Sequence, residues 1–131
     1  MVHALKEIRR VLVPSGLLMD WRPIGVCWPL EIEFAGQRRL VALLDRAPHI
    51  RDDAMCEQAM ALAVCEGWFV PERQQTFAFT AHWNTAAEVS APVTLPDSVR
   101  AEAQLLLDQI GPNARIGIRF ENILSGYRKR P

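Results

Sequence analysis

The sequence is short of the features that most quickly assign a chemistry. No apolar run approaches the roughly 20 residues that a membrane-spanning helix needs. Lys6, Arg9 and Arg10 lie inside the opening helical pattern rather than ahead of an apolar segment, so no export signal is read there. The expectation is a cytoplasmic chain with no membrane contact. The three cysteines, Cys27, Cys56 and Cys65, are odd in number and lack a C-x-x-C spacing, which predicts reduced thiols in or near the core. With His3, His49 and His82 they form no recognised ligand spacing, and no metal is expected. Fifteen basic residues balance fifteen acidic ones, so no overall field draws the chain to nucleic acid or to an anionic surface. Glycines are few, and Gly25 and Gly36 are isolated turn residues; no Gly-rich strand-to-helix turn is present to cradle a phosphate.

What is present reads as globular. Half of the 131 residues are hydrophobic and 23% are charged. A chain of this length buries roughly two-thirds of the surface that it exposes when unfolded, and a single domain over 1–131 is expected. Leu5, Ile8 and Leu12 make one apolar stripe of an opening helix, Pro14-Ser15-Gly16 a turn, and Leu17-Leu18-Met19 a buried strand. Trp21 to Pro29 reads as a loop with large apolar side chains. Leu30 to Phe34 and Arg38 to Leu44 read as a hairpin with Glu31 and Glu33 on a wet face opposite Arg38 or Arg39. Asp45 to Ile50 is a connector, and a helix follows from Asp52 or Asp53 to about Glu66, closed by Gly67. Thr76 to Trp83 has few charges and reads as an interior strand. Val99, Ala103, Leu106 and Ile110 stripe a further helix. Ala114 to Leu124 alternates in polarity like a strand near a sheet edge, and Tyr127 to Arg130 reads as a solvated basic end.

The opening segment Glu7-Ile8-Arg9-Arg10-Val11-Leu12-Val13-Pro14-Ser15-Gly16 resembles the helix that carries "E-I-x-R-V-L-x-P-G-G" and leads into the fifth strand of class I S-adenosylmethionine-dependent methyltransferases, with Ser15 in place of the first Gly of that pattern. Glu66-Gly67-Trp68-Phe69 and Arg73-Gln74-Gln75-Thr76-Phe77 are similar to that family's final helix and sixth strand. The resemblance implies a carboxyl-terminal half-domain: a mixed α+β or α/β fold with a partial Rossmann-like methyltransferase sheet of about four or five strands and helices packed on it. The family's Gly-x-Gly-x-Gly turn and ribose-holding acid lie in the other half. The isolated chain is therefore expected to lack methyl transfer activity and to hold no cofactor, S-adenosylmethionine entering only if that half is supplied.

Arg22, Trp28, His82, Trp83 and Asn84 fall at or just past the expected carboxyl ends of strands, where open α/β sheets bind ligands. They combine apolar walls with a few polar groups and form the candidate substrate-binding set. Ordinary packing also accounts for the tryptophans, which bury large areas wherever they fall. Cys27 and His82 are the one pair available for nucleophilic catalysis, but any chain of this size offers such a pair, and no catalytic residue is assigned. Three functions follow: a methyltransferase-like half-domain, a stand-alone small-molecule-binding module, and an oligomerisation domain. The partners expected are a second copy in a homodimer or a separate cofactor-binding half.

Overall fold

A computed structural model describes all 131 residues, Met1–Pro131. The chain is mixed α and β, with an open five-stranded antiparallel sheet and three α-helices. In chain order the elements are α1 (Val2–Val11), β1 (Leu17–Pro23), β2 (Cys27–Phe34), β3 (Gln37–Asp45), α2 (Ala47–Cys65), β4 (Phe69–Trp83), a short 3-10 turn (Ala86–Glu88), α3 (Asp97–Ile110) and β5 (Arg115–Lys129). The strand order is β1-β5-β2-β3, with β4 also paired to β5. No helix is long and apolar enough to cross a membrane. The chain divides into two compact units: Met1–Ile24 with Ala47–Phe77 and Glu121–Pro131, and Gly25–Arg46 with Ala78–Phe120.

In the first unit β1 pairs antiparallel with the end of β5, from Leu17 opposite Arg128 to Pro23 opposite Asn122. Leu5 of α1, Ala59, Met60 and Ala63 of α2, and Phe69 are buried together, and Leu18 and Tyr127 pack on them. The helices thus cover the side of β1 that bears Leu18 and leave Leu17, Met19 and Trp21 exposed. Lys6 and Arg9 lie over the Trp68 ring at 5.9 and 5.7 Å, so their charges meet an aromatic face while their stems cover apolar surface.

The basic end of the chain is a working part of β5. Lys129 donates from Nζ to the Leu12 carbonyl at 2.5 Å and from its backbone N–H to the Gly16 carbonyl at 2.9 Å. A cation there satisfies an orphan carbonyl at the negative end of α1. Arg128 grips the Glu72 carboxylate with Nε and Nη2 and donates from Nη1 to the Ser15 carbonyl at 2.8 Å. One side chain thereby ties β5, β4 and the α1–β1 turn.

In the second unit β2 pairs antiparallel with β3 and with the start of β5, placing Leu30 opposite Ile118, Ile32 opposite Ile116 and Glu33 opposite Arg115. The alternate residues Trp28, Leu30 and Ile32 of β2 and Ile116, Ile118 and Phe120 of β5 are buried against Ala103 and Leu107 of α3. The Trp28 ring meets Phe120 edge-on at 5.2 Å, and buried Arg46 lies over its face at 5.2 Å while donating to the Gly25 carbonyl at 2.5 Å. The opposite side of these strands carries Glu31, Glu33, Arg115 and Gly117 and has no helix of this unit against its core.

Several expectations are corrected. The sheet is antiparallel, whereas a Rossmann-like sheet is mostly parallel. β5 is central rather than marginal; its one-sided polarity arises because one side of the strand meets no helix core in the second unit. β4 pairs only with β5, and its low charge reflects small and threonine residues alternating with aromatics instead of burial on both sides. Residues expected in one loop extend β1 to Pro23 and start β2 at Cys27. α2 begins earlier than expected, at Ala47, because Pro48 is tolerated in a first turn whose N–H groups have no helical partner. Cys65 is exposed, while Cys27 and Cys56 are half-buried.

Two predictions follow from the turn and its clamp. Ser15 holds a φ of +60°, the left-handed region that costs an L-residue about 1 kcal/mol or more. Ser15→Gly should raise stability by about 1 kcal/mol in urea unfolding, and a loss would show that the strain is compensated by the serine. The Arg128 guanidinium, through its hydrogen bond and then its charge, holds the Glu72 carboxyl below its ordinary value, against an opposing effect of burial. A depressed folded-state value contributes stability above the ordinary carboxylate range, and that contribution is lost as pH falls through the depressed value. In Arg128→Met the Glu72 side-chain carbon should titrate higher by NMR; an unchanged midpoint would refute the pairing.

Candidate functional site

The bare side of the second unit gathers charges from three strands onto one carboxylate. Glu33 of β2 sits opposite Arg115 of β5, and His82 comes from β4. Glu33 Oε2 accepts from His82 Nε2 at 2.8 Å, and from Arg115 at 3.3 Å (Nε) and 3.2 Å (Nη2). Reaching His82 requires the Glu33 side chain to pass over β5, and Gly117 makes the passage. A Cβ at Gly117 would lie 3.0 Å from Glu33 Oε1, 3.3 Å from its Cδ and 3.2 Å from Thr80 Cγ2. Glycine inside a strand commonly marks such a close approach. A carboxylate on one imidazole nitrogen holds the orientation of the ring.

Glu33 and Arg115 also line an open cavity of about 520 Å3, with Phe34, Gln37, Arg38, Asn113 and the Ala35-Gly36 turn. Ala35 and Gly36 both take positive φ, 48° and 73°, which turns the hairpin tightly. The lining is rich in donors: two guanidiniums and two carboxamides. Its one carboxylate is already shared by His82 and Arg115. Arg38 leans toward Glu31 at 3.8 Å, an exposed pair of small energetic weight. Such a wall is suited to an oxyanion, because planar guanidinium forks match carboxylate and phosphate oxygens.

The five residues expected to form the pocket differ in their surroundings. Arg22 lies in the first unit, where Nε pairs with Asp20 at 2.9 Å and Nη1 donates to the Asp53 carbonyl at 3.4 Å. Trp28 is buried in the second unit's core, and Trp83 packs against the same core. His82 joins Glu33 on the bare side, one residue out of phase with Trp83. Asn84 donates its backbone N–H to Glu88 at 3.1 Å and borders a separate cavity of about 370 Å3 with Gln104 and Asp108. The sequence reading puts Glu33 on the wet face of the hairpin and does not single out Arg115. The signal that could have found them is Gly117 within the alternating run Arg115 to Phe120, but its use needs the pairing of β2 with β5, 82 residues apart at Glu33 and Arg115. Among groups of three or more His, Cys, Asp or Glu, none is placed to hold a metal ion.

Gly117→Ala should cost about 1 kcal/mol, the order of one partner lost from a hydrogen-bonded cluster. In a Glu33→Ala background most of that cost should vanish, since the obstructed side chain is gone. Urea unfolding of the four proteins in this double-mutant cycle measures it, and additive costs would show that Glu33 does not depend on Gly117.

No protein-family model matches this chain, and neither the curated proteins nor the solved structures contain a significant match.

Proposed function

We propose that the chain supplies the carboxyl-terminal elements of a methyltransferase-like domain and does not transfer methyl groups by itself. The observation that carries this reading is where the motif residues fall. Glu7 to Gly16 spans the end of α1 and the turn into β1, Glu66-Gly67 closes α2, and Arg73 to Phe77 lies within β4. A helix end, a turn and a strand at these segments are what supports the reading. The reading covers these first-unit elements; the β2–β3 hairpin and the antiparallel β5 lie outside it.

The residues present do not fit S-adenosylmethionine. A nucleoside cofactor on such a sheet needs a glycine-rich turn from a strand into a helix. The passage from β3 to α2 runs through Arg46, and the passage from β4 to α3 runs from Asn84 to Pro96, neither with a glycine. The cofactor-binding elements would come from outside these 131 residues, and no step of a methyl transfer is assigned to any residue here.

A second reading is favoured by the donor-rich cavity at Arg38, Asn113 and Arg115: a module that binds a small oxyanion beside His82. Calorimetry separates the two. Titrating S-adenosylmethionine into the 131-residue chain should give no saturable heat, and micromolar or tighter affinity would overturn the first reading. Phosphate and malonate titrated next, against the native chain and Arg115→Met, should give heat that the variant loses if the second reading holds. No heat with the native chain would remove it.

A further inference from the structure

We propose, resting on the oxyanion reading of the cavity at Arg38, Asn113 and Arg115, that its ligand binds together with a proton carried by His82. The histidine acts from outside the cavity lining, through Glu33.

The pairing of three strands sets the order of charges. Glu33 of β2 lies opposite Arg38 of β3 on one side and opposite Arg115 of β5 on the other. Residues directly opposite one another project to the same side of a sheet, so the three form one row: cation, carboxylate, cation. Neighbouring strands lie about 4.8 Å apart, which sets the two arginines about 10 Å apart at the backbone with Glu33 between them. All three line the cavity. An oxyanion that bridges both guanidiniums therefore meets a like charge midway. Such a juxtaposition costs affinity unless another group offsets the carboxylate.

His82 is the group placed to offset it. It reaches the row from β4, with Nε2 2.8 Å from Glu33 Oε2, and the same oxygen lies 3.2 Å from Arg115 Nη2. One oxygen is thus shared between a histidine outside the cavity and an arginine within it. The space at Gly117 lets the carboxylate lie toward His82. While the imidazole is neutral, the charge of Glu33 is balanced by Arg115. An imidazolium balances it from the β4 side, and Arg115 then turns its charge to the ligand. The other charged groups on this side are Glu31 of β2, which pairs with Arg38 at 3.8 Å, and Arg119 of β5, two positions beyond Gly117. Thr80, the alternate neighbour of His82 on β4, carries no charge. His82 is the one histidine of the second unit, and histidine is the side chain that changes charge between about pH 5 and 8. Linkage makes the effect reciprocal: a proton on His82 favours the anion, and the anion favours the proton.

Sulfate is the probe, because its own charge is constant between about pH 5.5 and 8. Calorimetry on the 131-residue chain should show sulfate bound about fivefold or more tightly at the lower pH. His82→Gln keeps a donor for Glu33 and cannot be charged, so it should bind at both pH values as the native chain does at the higher one. On the native chain, sulfate added at about pH 6.5 should move the His82 ring resonances in NMR toward their protonated positions. Four results would each overturn the proposal and leave the oxyanion reading standing: equal native affinity at the two pH values, the native difference persisting in His82→Gln, binding lost by His82→Gln at the higher pH, or ring resonances unmoved by bound sulfate. No sulfate heat from the native chain at either pH would overturn both.

Discussion

Every pairing that builds the sheet, apart from that of β2 with β3, is made to β5. β1 takes its last residues, β2 its first, and β4 lies along it as well. A strand so used must satisfy different demands along its length. Toward its start Ile116, Ile118 and Phe120 are buried in the core that α3 joins; toward its end Tyr127 packs on the core that α1 and α2 supply. The change of phase passes through Asn122 and Ser125, both buried and polar. Ser125 takes a hydrogen bond from Gln74 at 3.1 Å, consistent with the rule that buried polar groups need partners.

That change of phase explains which parts of the fold were legible in the sequence. Where one local period held, the reading succeeded: the Leu5, Ile8 and Leu12 stripe became α1, the Glu31-Ile32-Glu33 alternation became a hairpin strand, and the Val99 to Ile110 stripe became α3. Burial within α3 falls on Leu107 more than on Leu106, a shift of one residue on the same apolar side. In β5 the local alternation holds only to Leu124, because beyond it the period reverses and basic residues take over. Arg128 and Lys129 then looked like a loose end. Their role rests on carbonyls at Leu12, Ser15 and Gly16, more than a hundred residues earlier, and no local pattern announces a bond of that span.

The same limit governed the candidate site. His82 was legible as a polar residue at the end of a strand. Its partner Glu33 was not, since an acidic residue on a wet hairpin face ordinarily meets only water and a cross-strand arginine. Two facts had to be known together: that β2 lies beside β5, and that Gly117 leaves the space through which Glu33 crosses. Trp28 and Trp83 followed the opposite course. Their size marked them as candidate pocket walls, and the structure uses both as packing against one core.

The contrast between the two bare strand sides reaches beyond placement of a site. Charged groups on an exposed strand keep most of their hydration, and each exposed pair contributes only about 0.2–1 kcal/mol, so the Glu33 cluster owes its order chiefly to geometry. Apolar groups in the same position differ, because water around them costs about 25 cal/mol for each Å2 left uncovered. The Leu17, Met19 and Trp21 row therefore contributes only through the half of its surface that it buries, part of it where Trp21 meets Phe77. β1 is held by Leu18 on its inner side, by the β5 ladder, and by the Arg128 and Lys129 contacts to the turn before it. None of these uses the outer row. The strand thus keeps its shape chiefly through its inner side, its ladder and the contacts to its turn.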